Sequence, residues 1–148
     1  MASVHKNIIV RDYRKGDFEM VSNLWIETRM GNSIRGDDGE TILNSIKIGG
    51  KLLVLEDKTN RKICGTSWMT FDGRRIHLHH FGILPSYQGN NLADLLLGGS
   101  LKFVKQKGYQ VKLEVHNTNE RAINLYKKHG FEYLGDYDVY IIRDISNI

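Results

Sequence analysis

Little in this sequence forces an unusual architecture. Its 148 residues include a single cysteine, Cys64, and a single proline, Pro85. One thiol closes no disulfide within the chain, which excludes a stapled scaffold. No apolar run approaches the roughly 18 residues of a membrane span. The first residues, Met1 to Lys6, carry no apolar signal core before an alternating pattern begins. No membrane partner is therefore expected, and the cytoplasm is the expected location. Clustered charge is also missing. Lys and Arg number 21 against 17 Asp and Glu, a net charge of +4. The basic runs are only pairs, Arg61-Lys62, Arg74-Arg75 and Lys127-Lys128. Without a basic stripe interleaved with aromatics, nucleic acid is not an expected partner. The balance still suits a small phosphate-bearing ligand. No repeat, low-complexity stretch or linker divides the chain, and its length predicts a single domain over residues 1–148.

Periodicity supplies the element order. Ile8 to Tyr13 reads as a strand, and Asp17 caps a helix in which Phe18, Met20, Val21, Leu24 and Trp25 recur at helical spacing. A short helix through Thr41 to Ile46 ends at Gly49-Gly50. From Lys51 the period falls to two, and turns at Asp57–Asn60 and Asp72-Gly73 separate strands at Leu52–Leu55, Lys62–Phe71 and Arg75–Leu84. Pro85 stops the last of these, since proline cannot donate to a ladder. A helix from about Asn90 to Lys107 carries Leu92, Leu95, Leu96, Leu101 and Val104 on one face and ends at Gly108. A fifth strand spans Gln110–Val115. Asn119 caps a helix that ends at Gly130, and a last strand occupies Tyr133–Ile142. This order predicts one α/β domain with a mixed, mostly antiparallel sheet flanked by helices. The strand–helix–strand from His77 to Val115 is expected to be parallel, with a right-handed crossover.

Residues Pro85 to Ala93 connect a strand to a helix N-terminus, where free amides and the helix dipole attract an anion. Gly89 lets the backbone approach a ligand, and Asn90 and Asn91 tolerate turn conformations. This loop and the segment Leu113 to Phe131 resemble the GNAT family, the acetyl-coenzyme A dependent N-acetyltransferases. Gln88, Asn91 and Ala93 stand at the fixed places of that family's Gln/Arg-x-x-Gly-x-Gly/Ala loop, with asparagine replacing the middle glycine. Asn119, Ala122, Leu125, Tyr126, Gly130 and Phe131 carry its Asn-x-x-Ala-x-x-Leu-Tyr-x-x-x-Gly-Phe pattern in full. The resemblance implies a GNAT fold with parallel, splayed central strands and acetyl-CoA as cosubstrate. It also implies that the backbone of Phe81, Gly82 and Ile83 holds the pantetheine. Gln88, Gly89, Asn90, Asn91, Leu92, Ala93 and Asp94 would then surround the pyrophosphate, and Asn119 and Tyr126 would complete the cofactor site.

N-acetyl transfer needs a deprotonated amine, a polarised thioester and a proton for the leaving thiolate. Tyr126 matches the family tyrosine that acts as general acid. For the base two readings stay open. Glu114 resembles the fifth-strand glutamate of ribosomal-protein N-terminal acetyltransferases. His77 and His79 share a strand face, and their run resembles the fourth strand of arylalkylamine N-acetyltransferases. A metal site at His77, His79 and His80 is not expected, because Cys64 and the acidic residues offer no further ligand spacing. Cys64 reads as a buried small residue. The sequence thus predicts an acetyltransferase acting by direct amine attack in a ternary complex, on a small-molecule or peptide amine that it does not name. A non-catalytic acyl-CoA-binding or regulatory module on the same fold is the alternative, resting mainly on Asn91. Homodimerisation through the last strand or a helix face stays open.

Overall fold

Residues 6–31 and 36–148 are described in a computed structural model of the chain. The sequence of Met30 to Asp38, polar and glycine-containing, is expected to help form the acceptor pocket, and part of this segment lies outside the described residues. The chain divides into two compact units, residues 1–116 and 117–148. In the first unit the strands are β1 (Ile8–Asp12), β2 (Lys51–Asp57), β3 (Lys62–Phe71), β4 (Ile76–Ile83) and β5 (Val111–Leu113). They form one sheet in the order β1-β2-β3-β4-β5. The first four pair antiparallel, and β4 with β5 is parallel. The helices of this unit are α1 (Phe18–Glu27), α2 (Gly39–Lys47) and α3 (Leu92–Lys107).

Strand β3 is buried without a break from Ile63 to Met69, as a strand covered on both faces must be, with Thr66 and Ser67 the polar residues in that stretch. Alternation shows which helix covers which face. Thr66 and Trp68 meet α1 and α2: Trp25 stacks on Trp68 at 5.3 Å, and the Trp68 indole N–H donates to Ser45 Oγ at 2.9 Å. Ser67 points the other way and shares a 2.6 Å hydrogen bond with Ser100 of α3. Cys64 is buried, as its sequence context predicts, and burial pushes its thiol up to about 12.

Three expectations need correction. Asp17 does not cap α1 with its side chain. Its carboxylate instead takes a two-pronged contact from Arg11 at 2.8 and 3.0 Å and a third bond from the Arg14 amide. Arg11 also reaches Glu56 at 2.8 Å, so the carboxylate ties the start of α1 to the sheet. Burial pushes Asp17 up, but the bonds from Arg11 and Arg14 outweigh it and hold the carboxyl below its ordinary range. On α3 the buried stripe is Leu92, Leu96, Leu97 and Ser100, while Leu95 is 41% exposed and Leu101 and Val104 are half-buried. The stripe follows the side chains that meet the sheet, and the Ser67–Ser100 bond sets its phase.

The second unit contains α4 (Glu120–Lys128) and a following segment. Asn119 caps α4 by accepting from the Ala122 amide at 3.2 Å. Gly130 turns the chain at φ +96°, and the Phe131 amide returns to the Tyr126 carbonyl at 3.0 Å. The strand expected at Tyr133–Ile142 does not form. Its alternating apolar residues, among them Tyr133, Val139 and Tyr140, stand exposed. Alternation describes faces, and a strand also needs a ladder partner.

Candidate active site

The parallel pairing of β4 with β5 covers only Ile76–Leu78 against Val111–Leu113. Beyond Leu78, β4 continues to Ile83 with no strand pairing on that side among the described residues, so the two strands part as the family resemblance implies. At the parting β4 bulges. Thr66 pairs with Gly82 and Trp68 with His79, which leaves Ser67 facing both His80 and Phe81. His80 sits at φ +43°, a left-handed conformation that costs a non-glycine residue about 1–2 kcal/mol.

A hydroxyl relay holds this bulge. The Trp25 indole N–H donates to Thr66 Oγ1 at 2.9 Å, and that hydroxyl donates to the His80 carbonyl at 2.7 Å. The His80 ring packs against both stacked tryptophans, at 4.6 Å from Trp25 and 5.2 Å from Trp68, and its Nε2 lies 3.2 Å from Asp37 Oδ1, off the line of a hydrogen bond. Met30 lies over Gly82: a Cβ there would stand 2.8 Å from Met30 Cε, so the bulge admits only glycine without the methionine moving.

The structure joins the two base candidates into one cluster. His77 and His79 stack at 4.0 Å, and His77 Nε2 lies 3.9 Å from Glu114 Oε1. Thr70 Oγ1 is hydrogen-bonded to His79 Nε2 at 2.8 Å. Burial, followed by the neighbouring His77 and His80, pulls His79 down to about 4. Burial also lowers His77, and Glu114 partly offsets it. His79 is therefore a neutral imidazole at physiological pH. Sequence reasoning did not single out Thr66, Thr70 and Trp25. The period of β3 places Thr66 and Thr70 on the face of Trp68, but finding their partners requires the hairpin register.

At the other end of β4 the loop expected to hold phosphates has the geometry for it. Tyr87 is pinned to the β2–β3 turn, donating to Asp57 Oδ2 at 2.9 Å and accepting from Asn60 Nδ2 at 3.3 Å. Gln88 turns its side chain back to the Ile83 carbonyl at 2.9 Å, so it braces the loop. The Asn90 side chain donates through Nδ2 to the Tyr87 carbonyl at 3.4 Å. Gly89 lies at φ +88° with open space where a Cβ would be, and Asn91 lies at φ +59°. Asn91 precedes α3 and makes no side-chain capping bond, so the amides of the first turn, at Leu92, Ala93 and Asp94, face outward without a side-chain cap. These features fit a pyrophosphate.

In the second unit Tyr126 is 8% exposed, its ring edge-on to Phe131 at 5.6 Å, and burial pushes its hydroxyl up to about 12. Asn119 spends Oδ1 on the helix cap. A larger cavity of about 470 Å³ lies between α1 and the β2–β3 turn and touches none of the candidate catalytic residues. No group of three or more His, Cys, Asp or Glu arranged to hold a metal occurs among the described residues, and no described helix is long and apolar enough to cross a membrane.

Solved structures share this fold. An acetyltransferase from Streptococcus agalactiae has a TM-score of 0.76 at 20% identity, over 94% of this chain and 93% of that one. A GNAT-family acetyltransferase from Staphylococcus aureus has a TM-score of 0.74 at 18% identity, over 88% of each chain. The aminoglycoside N-acetyltransferase AAC(6')-Iy, in complex with CoA, has a TM-score of 0.73 at 17% identity, over 93% of this chain and 95% of that one. At these identities the likeness establishes the fold. The model of the acetyltransferase (GNAT) family matches residues 18–131, well over half the chain. A parted β4–β5 pair, a bulge in β4 and an outward-facing helix N-terminus thus coincide with the family match: the protein belongs to the acetyltransferase (GNAT) family, with acetyl-coenzyme A as its cosubstrate.

Proposed function

We propose that the protein transfers the acetyl group of acetyl-CoA to a primary amine by direct attack in a ternary complex. One observation carries this reading. Strand β4 presents the stacked His77–His79 pair immediately before a bulge whose backbone is held in a strained, pinned conformation. Strain retained at a position fixed by surrounding bonds points to use.

Bound acetyl-CoA supplies an activated acetyl thioester. Phe81, Gly82 and Ile83 hold its pantetheine arm through backbone groups, and the Gly89–Asp94 loop holds the pyrophosphate. The neutral His79 imidazole, fixed by Thr70, accepts a hydrogen bond from the amine and aims its lone pair. A group pulled down to about 4 holds a proton too weakly to serve as base at neutral pH. The His77–Glu114 pair takes that role, because Glu114 is half-exposed and can pass the proton to water. Tyr126, protonated at neutral pH as any tyrosine is and pushed further up to about 12 by burial, donates to the leaving thiolate. Asn119 contributes its remaining side-chain amide to the pantetheine. Asn91 already adopts the left-handed backbone that a loop glycine would take, which weakens the main support for a non-catalytic module.

The test is a pH–rate profile of CoA release for wild type, Glu114→Gln and His79→Ala. Loss or displacement of the controlling ionisation in Glu114→Gln, with a lower but undisplaced profile in His79→Ala, supports these roles. The reverse pattern makes His79 the base. Tight acetyl-CoA binding with no CoA release on any amine removes the catalytic reading.

A further inference from the structure

Beside the histidines the sheet carries concentrated positive charge that the acetyl-transfer roles do not use. A cavity of about 200 Å³ opens where the β3–β4 turn meets β5, and its lining includes Thr70, Asp72, Arg74, Arg75, His77 and Lys112. Register explains the grouping. Thr70 pairs with His77, and His77 pairs with Lys112, so three neighbouring strands aim these side chains at one face. Asp72 is committed to the turn: its Oδ1 accepts from the Arg74 and Arg75 amides at 2.7 and 2.6 Å. Among the described residues none of Arg74, Arg75 and Lys112 forms an ion pair. Three cations therefore face one carboxylate across a small recess, an arrangement suited to an anionic group.

Position separates this recess from the cosubstrate's phosphates. It lies at the Ile76 end of β4, while the phosphate loop follows Ile83 at the other end, about 23 Å away along an extended strand. The bulge lies between them. A cosubstrate that enters from the Ile83 end leaves the Ile76 end for the acceptor, and His77 lines the recess while stacking on His79.

We propose that this recess binds an anionic group on the acceptor, so that the substrate class is a primary amine carrying a carboxylate or phosphate. His79 lies two positions beyond His77 along β4, so amine and anion stand about 7 Å apart. This inference rests on the amine-acetylation reading and narrows it.

The experiment compares CoA release with 5-aminopentanoate, 4-aminobutyl phosphate, pentylamine and cadaverine, using wild type, Arg75→Gln and Lys112→Gln. The two anionic acceptors are expected to show KM about tenfold below that of pentylamine, an advantage that fades with added salt. Each substitution should raise their KM about fivefold, leave kcat within about twofold and leave pentylamine unaffected. Lys112→Glu, on an exposed side chain, keeps the test readable if Arg75→Gln disturbs the turn. Higher kcat/KM for pentylamine or cadaverine, or an unchanged KM for the anionic pair in the variants, overturns the proposal while amine acetylation stands. If no amine releases CoA, the acetylation reading itself fails. Calorimetric titration with 5-aminopentanoate then judges the recess: binding weakened about fivefold in Lys112→Gln supports it, and equal binding or none overturns it.

Discussion

Replacing Thr66 by valine removes one hydroxyl and keeps the shape of the side chain. Thr66 and Trp25 are both fully buried. The substitution leaves the buried Trp25 indole N–H without its acceptor, at about 1–3 kcal/mol, and deprives the His80 carbonyl of its donor, at about 1 kcal/mol more. The expected destabilisation is thus about 2–4 kcal/mol. For a chain of this length that lowers Tm by roughly 5–12 °C. Thr66→Ser is the control. It keeps the hydroxyl and loses a methyl group, at about 1 kcal/mol. Urea unfolding followed by the fluorescence of Trp25 and Trp68 separates the two variants, provided the m-value is unchanged. Thr66→Val should also raise KM for acetyl-CoA, because the strained His80 backbone loses the bond that holds it. If Thr66→Val unfolds within about 0.5 kcal/mol of Thr66→Ser, the relay carries no energy and the account of the bulge is wrong.

His79 gives stability a pH dependence. Its folded value of about 4 lies below the ordinary 6.5, so the unfolded chain binds more protons between the two. This contribution is complete above about pH 6.5 and is lost as pH falls toward about 4, amounting to about 1–2 kcal/mol after allowance for solvent screening. His79→Gln should flatten the stability curve in that window, and an unflattened curve would sink the assignment. Tyr126→Phe is expected to lower kcat about 10²-fold with unfolding unchanged, and unaltered turnover would remove Tyr126 from the mechanism. Asn91→Ala should destabilise by about 1 kcal/mol through its left-handed backbone and weaken CoA binding measured by calorimetry, while Asn91→Gly stays near wild type.

Legibility divides by the range of the interaction. The ends of α3 and α4 at Gly108 and Gly130, the Asn119 cap and the backbone role of Gly89 are readable because each depends on residues within one turn. The burial of Cys64 follows from its place in an apolar strand. Asp17 misleads as a cap because its stronger partner, Arg11, comes from the preceding strand and binds Glu56 at the same time. The expected Tyr133–Ile142 strand misleads because alternation is local and ladder pairing is not.

The site shows the same division. Composition is enough to exclude a stapled scaffold, and the resemblance of two ordered motifs to a known family implies an acetyl-CoA-dependent fold. They do not show that Glu114 and His79 belong to one cluster, since His77 joins them through strand pairing between residues far apart in sequence. Nor do they show that His79 is held neutral, because that depends on how deeply the packed sheet buries it. The scattered charge excess likewise acquires a location only when Arg74, Arg75 and Lys112 converge from a turn and a neighbouring strand. Short-range geometry is written in adjacent residues, whereas desolvation, register and charge convergence exist only once distant segments have packed.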